Sequence, residues 1–268
     1  MTLAPSDAEA LAARLIDGQA EHVQLRSLVH DHPEMDLADA YAVQHAWAGM
    51  RIAAGARLIG YKVGLTLPAV QRACGIVEPT YGHLFDDMDF TGAPAVASDR
   101  LFEPRFETEL AFVLKHDLSG PACTVADVLA ATDYVSPAIE VVDMRFRLKD
   151  PLTGSARGTF DAVADNTSSA GMILGDRRFG AHDIDLRWAG AILYRNGIIE
   201  ASGISGSVLD NPAGSLAWLA NALHARGEGL KAGQVVLSGS FITPLPGGAG
   251  DRFKADYGPL GSIAFRLD

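Results

Sequence analysis

After Gly60 the chain changes to short apolar runs separated by Gly, Pro and Asp, and this pattern constrains the fold more than any other feature. Short apolar runs bounded by turn residues are typical of β-strands. The runs lie at 109–114, 134–142, 172–174, 186–194 and 235–237. The sequence therefore predicts that most of the chain after residue 60 is built from strands.

Asn196 and Gly197 form the strongest turn signal in the sequence. Both central residues of a type I′ turn need positive φ, which Asn and Gly tolerate well. Because strand-like runs flank the pair, we predict a β-hairpin at this position.

Two helices are predicted ahead of the strands. Residues 6–9 match a capping box, and apolar residues at helical spacing follow over 11–16. A second helix is predicted to start near Asp36 and to run through Trp47. Together they predict an N-terminal helical layer over residues 1–55.

Two more helices are predicted among the strands. Asn211 supplies an N-cap and Pro212 a first helical residue for a long helix that ends at Gly227. A shorter helix is predicted to begin at Thr124. No repeat or linker divides the chain, so we predict a single α+β domain over residues 1–268, with its core over 56–268.

The segment 147–158 is polar, rich in turn residues and too long for a tight turn. Loops of this kind are often mobile or functional. We therefore predict a lid here.

Charge and hydropathy argue against two classes of partner, nucleic acid and the membrane. With 22 basic and 33 acidic residues the net charge is −11, and no stripe of Lys and Arg offers phosphate contacts, so nucleic acid is not an expected partner. No apolar run approaches the roughly 20 residues that span a bilayer. Only 2 Cys are present, in different segments, which favours a reducing, cytoplasmic location. An anionic substrate would need a local cation at its site.

Glu107 and Glu109 are the first candidate site residues. Residues two apart in a strand share a face, so both carboxylates point to one side, away from Phe106 and Leu110. A solvent-facing strand with ordinary acids fits the spacing equally well.

Glu140 changes this balance because it lies within an apolar run, where an unpaired carboxylate is costly. One interpretation is an ion pair with Arg145 or Arg105. The other is that Glu140 joins Glu107 and Glu109 around a divalent cation. Three carboxylates without His or Cys suit Mg²⁺ or Mn²⁺, whereas the 8 His show no spacing typical of zinc ligands.

Lys62 is a lone basic residue in an apolar strand between Gly60 and Gly64. It is either a lysine that reaches out from a sheet edge or a partly buried ammonium that binds an anionic substrate or donates a proton. Two segments, 161–166 and 238–240, carry short polar side chains that can bind a carboxylate, although turn chemistry is the more frequent explanation of such segments.

A set of motifs appears in a characteristic order along the chain. These are GYKVGLT at 60–66, YGHLFDDM at 81–88, PRFETE at 104–109, Glu140, VADN at 163–166 and LSGS at 237–240. By this set the chain resembles the hydratase/decarboxylase branch of the fumarylacetoacetate hydrolase superfamily, from about residue 10 to the C-terminus. The resemblance implies a mixed, twisted β-roll with N-terminal helices and one long internal helix, assembled into a homo-oligomer.

The resemblance also implies the chemistry. It implies Glu107, Glu109 and Glu140 as ligands of Mg²⁺ or Mn²⁺, Lys62 as an active-site residue, and Ser238 and Ser240 beside the substrate carboxylate. The implied reaction is the hydration of a 2-hydroxy-2,4-dienoate to a 4-hydroxy-2-oxo acid, with 2-oxo-hept-4-ene-1,7-dioate as the expected substrate.

Alternatives remain open. They are hydration of 2-oxopent-4-enoate, decarboxylation of 4-oxalocrotonate, hydrolysis of an acylpyruvate, and service as a weakly active partner of a sister decarboxylase. Thr80 departs from the residues usual at its position in both hydratases and decarboxylases of the branch.

The proton-transfer group and the contact for a distal carboxylate are also open. Asp86, Asp165 or a glutamate of the metal site is the candidate general base. Arg157 or Arg147, both on the 147–158 loop, is the candidate for binding a distal carboxylate of the substrate.

Overall fold

The computed structural model describes residues 3–268, which contain seven α-helices and eleven β-strands. The helices are α1 (Pro5–Ala20), α2 (Leu28–Asp31), α3 (Leu37–Ala53), α4 (Pro68–Ala73), α5 (Val125–Ala131), α6 (Thr159–Ala164) and α7 (Pro212–His224). The strands are β1 (Leu58–Gly64), β2 (Thr80–Phe85), β3 (Arg105–Leu114), β4 (Thr132–Val142), β5 (Ser169–Leu174), β6 (Gly190–Arg195), β7 (Ile198–Ile204), β8 (Val235–Leu237), β9 (Leu245–Pro246), β10 (Arg252–Asp256) and β11 (Ser262–Arg266).

The strands form two sheets. The larger has the order β2-β1-β8-β3-β4-β5, with β9 paired to one end of β3, and the smaller has the order β11-β10-β6-β7. Only β1 and β8 run parallel among these pairs, so the larger sheet is mixed. Phe106 of β3 packs against Phe253 and Phe265 of the smaller sheet, with ring centroids 4.5 and 4.8 Å apart. The mixed α+β architecture predicted from the sequence is confirmed.

The helices follow the predicted apolar spacing. Leu11 and Leu15 of α1 and Val43 and Trp47 of α3 are buried, as is Leu219 of α7. These residues belong to one continuous apolar core that reaches from the N-terminal helices to β11. Burial of each such side chain contributes about 1.5–3 kcal/mol.

Most helix boundaries agree with the prediction, but the capping box at 6–9 is wrong. Pro5 takes the first helical position of α1, so Ala4 is the N-cap and no side chain caps the helix. Proline is favoured there because its fixed φ suits the helix and its missing N–H would have no partner. The helix starts predicted near Asp36 and at Thr124 are confirmed, as is the N-cap predicted at Asn211; all three residues cap their helices.

The hairpin prediction is confirmed. Asn196 (φ 54°) and Gly197 (φ 84°) join β6 to β7, as a type I′ turn requires.

The 147–158 loop is anchored at its middle. The carboxylate of Asp150 accepts hydrogen bonds from the side chain of Arg26 and from the backbone N–H groups of Leu152 and Thr153. Closure of this loop as a lid stays a prediction.

Candidate active site

A cavity of about 570 Å³ opens at one face of the larger sheet. Its walls come from β1, β2, β3, the end of the 147–158 loop and the segment after β8. Lys62, Thr80, Glu107, Arg157 and Ser240 are the lining residues that carry the polar chemistry discussed below. A volume of this size is typical of a small-molecule site.

Strand register brings the three glutamates together. Glu107 of β3 lies directly opposite Glu140 of β4, and Glu109 lies two residues further along on the same face. One carboxylate oxygen from each of the three lies within 4.8 Å of the others. The Nζ atom of Lys62 lies 3.1 Å from Oε1 of Glu140. Three acids and one base therefore share a single small volume.

The cluster is short of positive charge. Glu109 and Glu140 are fully buried and Lys62 is 3% exposed. Three carboxylates and one ammonium sum to −2 when all are ionised. Two unit charges about 4 Å apart repel by about 4 kcal/mol at an effective dielectric constant of 20, so this deficit is expensive.

Hydrogen bonds do not remove the deficit. Oε2 of Glu109 accepts a bond of 2.7 Å from the N–H of Gly239. Oε1 of Glu109 and Oε2 of Glu140 are buried without a hydrogen-bond partner among residues 3–268. Buried oxygens of this kind are rare unless an ion or ligand binds them. Their number, charge and chemistry fit a divalent, oxygen-preferring cation.

The pKa values of these side chains reflect the same excess of negative charge. Burial, followed by the charge of Glu140, raises the pKa of Glu107 to about 8, although Lys62 opposes the shift. The same causes raise the pKa of Glu109 well above its usual range. Burial lowers the pKa of Lys62, but the three carboxylates together raise it above its ordinary value. A bound divalent cation would hold all three carboxylates in the ionised form.

The sequence left open an ion pair between Glu140 and an arginine, and the structure excludes it. Arg145 contacts Asp165 instead, with 2.5 Å between Nε and Oδ1. Arg145 also donates to the carbonyl oxygens of Asp165 and Ser169. The ionic partner of Glu140 is Lys62, which belongs to the same cluster.

The 238–240 segment closes one side of the cluster. Gly239 has φ 113°, and a Cβ atom there would lie 2.6 Å from a side-chain carbon of Thr66, so only glycine fits. Ser240 lines the cavity, and its hydroxyl bonds the backbone of Ile242. Ser238 is fully buried beside it, and its hydroxyl has no hydrogen-bond partner in the described chain.

A left-handed turn forms another wall. Asn166, Thr167 and Ser168 have φ values of 53°, 50° and 59°. Such a conformation costs about 1–3 kcal/mol per non-glycine residue and is found mostly at functional sites. The side chain of Asn166 offsets part of this conformational cost, because it accepts a hydrogen bond from the backbone N–H of His83 and donates one to its carbonyl oxygen. Thr167 and Ser168 thereby reach the cavity.

Arg157 and Asp165 are neighbours. The Nη1 atom of Arg157 lies 3.9 Å from Oδ2 of Asp165, and its Nη2 donates a bond of 2.8 Å to the Ser168 hydroxyl. Burial raises the pKa of Asp165 to about 6, against the opposing charges of Arg145 and Arg157. Asp165 is thus held between two guanidinium groups, and it is not among the residues that line the cavity.

Comparisons with known proteins agree with this geometry. No protein-family model matches the chain. It is 47% identical over 257 residues to 2-oxo-hept-4-ene-1,7-dioate hydratase of Escherichia coli, which covers 96% of each chain. It is 34% identical, with a TM-score of 0.93, to 4-oxalocrotonate decarboxylase from Pseudomonas putida G7 in complex with magnesium and adipate, over 100% of this chain and 99% of the other.

The chain belongs to the hydratase/decarboxylase branch of the fumarylacetoacetate hydrolase superfamily. The superfamily fold is also seen in fumarylpyruvate hydrolase from Pseudomonas aeruginosa, which is 15% identical with a TM-score of 0.55 over 77% of this chain and 88% of that one. The resemblance predicted from the ordered motifs is confirmed.

The structure places Asp86 and Thr80 at opposite ends of β2, and only Thr80 reaches the cavity. Asp86 is not brought into the cavity: it follows the far end of β2, where its carboxylate accepts hydrogen bonds from the backbone and side chain of Arg57 at the surface. Thr80 lies at the other end of β2, opposite Gly64, and lines the cavity. Its buried hydroxyl has no hydrogen-bond partner within residues 3–268.

Sequence reasoning missed Thr167 and Ser168 as wall residues, and it noted Thr80 only through the resemblance to the family. Thr80 is neutral and follows a Pro, so nothing local distinguishes it from a turn residue. No propensity indicates a left-handed turn at Thr167, since β-branched residues rarely adopt positive φ.

Proposed function

We propose that this protein is a hydratase that depends on Mg²⁺ or Mn²⁺ and acts in the breakdown of aromatic compounds. The proposed substrate is 2-oxo-hept-4-ene-1,7-dioate, whose dienol form is a 2-hydroxy-2,4-dienoate. The protein adds water to it and produces a 4-hydroxy-2-oxo acid. One observation carries the proposal: three clustered carboxylates, two of them fully buried, border a cavity that Lys62 also lines, and with Lys62 they sum to a charge of −2. The hydratase of Escherichia coli, similar over nearly the whole chain, supports the choice of reaction and substrate.

Glu107, Glu109 and Glu140 would hold the cation. When bound, it supplies a Lewis acid beside the C1 carboxylate and C2 oxygen of the substrate, where negative charge develops. The three side chains are preorganised for this role because β3 and β4 fix their backbones in register.

Lys62 is the proposed proton-transfer group. Protonation of the dienol form at C5 and loss of the C2 hydroxyl proton give a ketone conjugated with a C3–C4 double bond. Water then adds its oxygen to C4, and a proton is delivered to C3. Among the lining residues within 3–268, Lys62 carries an ammonium that can lose and regain a proton, whereas Glu107 is assigned to the cation and the guanidinium of Arg157 keeps its charge.

The neutral groups of the cavity orient the substrate. The 238–240 segment is proposed to bind the C1 carboxylate, with the unpaired hydroxyl of Ser238 as the donor, while the Ser240 hydroxyl donates to the carbonyl oxygen of Ile242. Thr80 is proposed to donate a hydrogen bond from its unpaired hydroxyl to the substrate or to the attacking water. Asp165 is proposed to hold Arg157 in position rather than to act as the general base.

Decarboxylation of 4-oxalocrotonate is the second candidate. The observation that favours it is the match to the decarboxylase structure over the full chain. The identity to the hydratase is higher, 47% against 34%, and this favours hydration.

Product analysis distinguishes the two reactions. The protein is incubated with Mg²⁺ and 2-hydroxyhepta-2,4-dienedioate, and separately with 4-oxalocrotonate, and products are followed by mass spectrometry and CO₂ release. A product heavier than the dienedioate by one water, without CO₂, supports the proposal. Release of CO₂ from 4-oxalocrotonate as the main reaction contradicts it.

No helix within the described part of the chain is long and apolar enough to cross a membrane. The cytoplasmic location, the homo-oligomer and the complex with a sister decarboxylase stay predictions.

A further inference from the structure

The cavity is lined by a positively charged side chain, Arg157, to which the proposed reaction assigns no contact with the substrate. Among the described residues, its lining includes the basic side chains of Lys62 and Arg157. Lys62 is matched by the carboxylates of the triad. Arg157 is matched only loosely, because Asp165 lies 3.9 Å away and makes its short contact with Arg145.

Arg157 carries an unused hydrogen-bond donor. Its side chain is 11% exposed. Its Nη2 donates to Ser168, but its Nη1 is buried without a hydrogen-bond partner in the described chain. A buried donor left unpaired is destabilising, and more so when the group is charged. An occupant of the cavity that accepts from Nη1 would recover this cost.

A second guanidinium lies in the same region. Arg105 shares a face of β3 with Glu107 and pairs in register with Val142, which lines the cavity. The Nε atom of Arg105 is also buried without a hydrogen-bond partner in residues 3–268. Burial lowers the pKa of Arg157, and the charges of Arg145 and Arg105 lower it further, against the opposing effect of Asp165.

The nearby acids are engaged elsewhere. Asp161 accepts from the backbone N–H of Leu28 and from the Ser27 hydroxyl. Asp143 accepts from the backbone N–H groups of Phe102 and Glu103. These carboxylates are therefore committed to tethering the chain, and they do not pair with the free donors of the two arginines.

We propose that Arg157, supported by Arg105, forms a subsite for the distal carboxylate of the substrate and makes the enzyme selective for a dicarboxylate over a monocarboxylate of the same length. The inference rests on the proposed function and deepens it. A guanidinium matches a carboxylate in shape and can donate two parallel hydrogen bonds. Asp165 and Ser168 act as positioning residues that aim Arg157.

The test compares two substrates that differ only at the far end, 2-oxo-hept-4-ene-1,7-dioate and 2-oxohept-4-enoate. Loss of one partner of a buried charged pair leaves the other charge unpaired, so we expect Arg157→Gln to lower kcat/KM for the dioate about 100-fold. The value for the monocarboxylate should change less than about 3-fold, since that substrate makes no such pair. Arg105→Gln should show the same selectivity with a smaller effect, about 10-fold.

Two further variants sharpen the result. Arg157→Lys keeps the charge but loses the two-bond geometry, so it should fall between the wild type and Arg157→Gln. Arg147→Gln is the matched control, because Arg147 is an exposed arginine of the same loop and is not among the lining residues. It should leave both substrates unaffected. An equal loss with both substrates in Arg157→Gln, or no loss with the dioate, would overturn the inference.

A binding measurement separates this inference from the proposed function. Calorimetry with Mg²⁺ present compares 2-oxoheptanedioate and 2-oxoheptanoate, which have no double bond to hydrate. We expect a preference of at least about 10-fold for the dioate, lost in Arg157→Gln. If this preference is found but neither unsaturated substrate is hydrated, the subsite stands and the proposed function fails. If hydration occurs without any preference, the proposed function stands and the subsite fails.

Discussion

The Nζ atom of Lys62 lies 3.1 Å from Oε1 of Glu140, and both side chains are almost completely buried. The pair does not neutralise its surroundings, because Glu107 and Glu109 lie within the same cluster. A buried ion pair of this kind is a poor source of stability, since desolvation offsets the attraction. We propose that its value is functional, because it positions an ammonium beside the proposed cation site and the cavity.

Lys62→Met tests the proton-transfer role. We expect turnover to fall by at least about 100-fold, because the proposed proton-transfer group is lost. The carboxylates remain, so the affinity for Mn²⁺ should change by less than about 10-fold, a limit set by the loss of one neighbouring charge. Steady-state kinetics and Mn²⁺ titration measure the two effects.

Lys149→Met, on the exposed part of the 147–158 loop, serves as the control for Lys62→Met. It should leave kinetics and affinity unchanged. Loss of Mn²⁺ binding in Lys62→Met, in step with the loss of turnover, would show that the lysine only maintains the cation site.

The pH dependence of stability should differ between the metal-free and metal-loaded protein. The folded-state pKa of Glu107 is raised to about 8. This group therefore contributes stability that is full below its unfolded pKa of about 4.3 and is lost as pH rises through about 8. Metal-free protein should thus lose a few kcal/mol between about pH 5 and 9 through this group.

Mg²⁺ should remove most of that loss, because the cation favours the ionised carboxylates. Thermal unfolding of the same preparation at each pH, with and without Mg²⁺, measures the difference and cancels titrations elsewhere in the chain. A Tm difference that does not grow with pH would contradict the assignment of the cation to these carboxylates.

Asn166→Ala should destabilise the wall of the cavity. Asn166 donates to the carbonyl oxygen of His83 and accepts from its N–H, so removal leaves two buried backbone groups unpaired. Each unpaired group costs about 1–3 kcal/mol, and alanine also tolerates φ 53° less well than asparagine. Urea unfolding should show a loss of about 2–5 kcal/mol.

Asn196→Gly is the control for Asn166→Ala, because glycine keeps the positive φ of the exposed hairpin. It should change the free energy of unfolding by less than about 1 kcal/mol. Equal losses in the two variants would mean that the bonds to His83 have no special weight.

The chemistry-bearing carboxylates were predictable because the information is local. Alternation in a strand places Glu107 and Glu109 on one face, and the apolar neighbours of Glu140 indicate burial. Register between β3 and β4 then needs only to bring Glu140 opposite Glu107, which the structure confirms. The hairpin at Asn196 and the helix starts at Asp36, Thr124 and Asn211 were predictable for the same reason.

Residues whose role depends on distant partners were not predictable. Asp86 and Thr80 belong to one strand region, and only the pairing of β2 with β1 decides which end faces the cavity. The sequence left Arg157 and Arg147 equivalent, and the structure separates them because the loop returns at Arg157 to contact Ser168. The left-handed turn at 166–168 depends on bonds to β2 that no local pattern indicates.

The most direct test of the account is a titration of metal-free protein with Mn²⁺, in which bound metal and hydratase activity are followed together. We expect one high-affinity ion per chain, with activity rising in proportion to occupancy. Glu140→Gln should lose both by about 100-fold or more, as expected for removal of a metal ligand, whereas Glu103→Gln, an exposed acid just before β3, should keep both. Full activity in metal-free protein, or in Glu140→Gln without bound metal, would contradict the account.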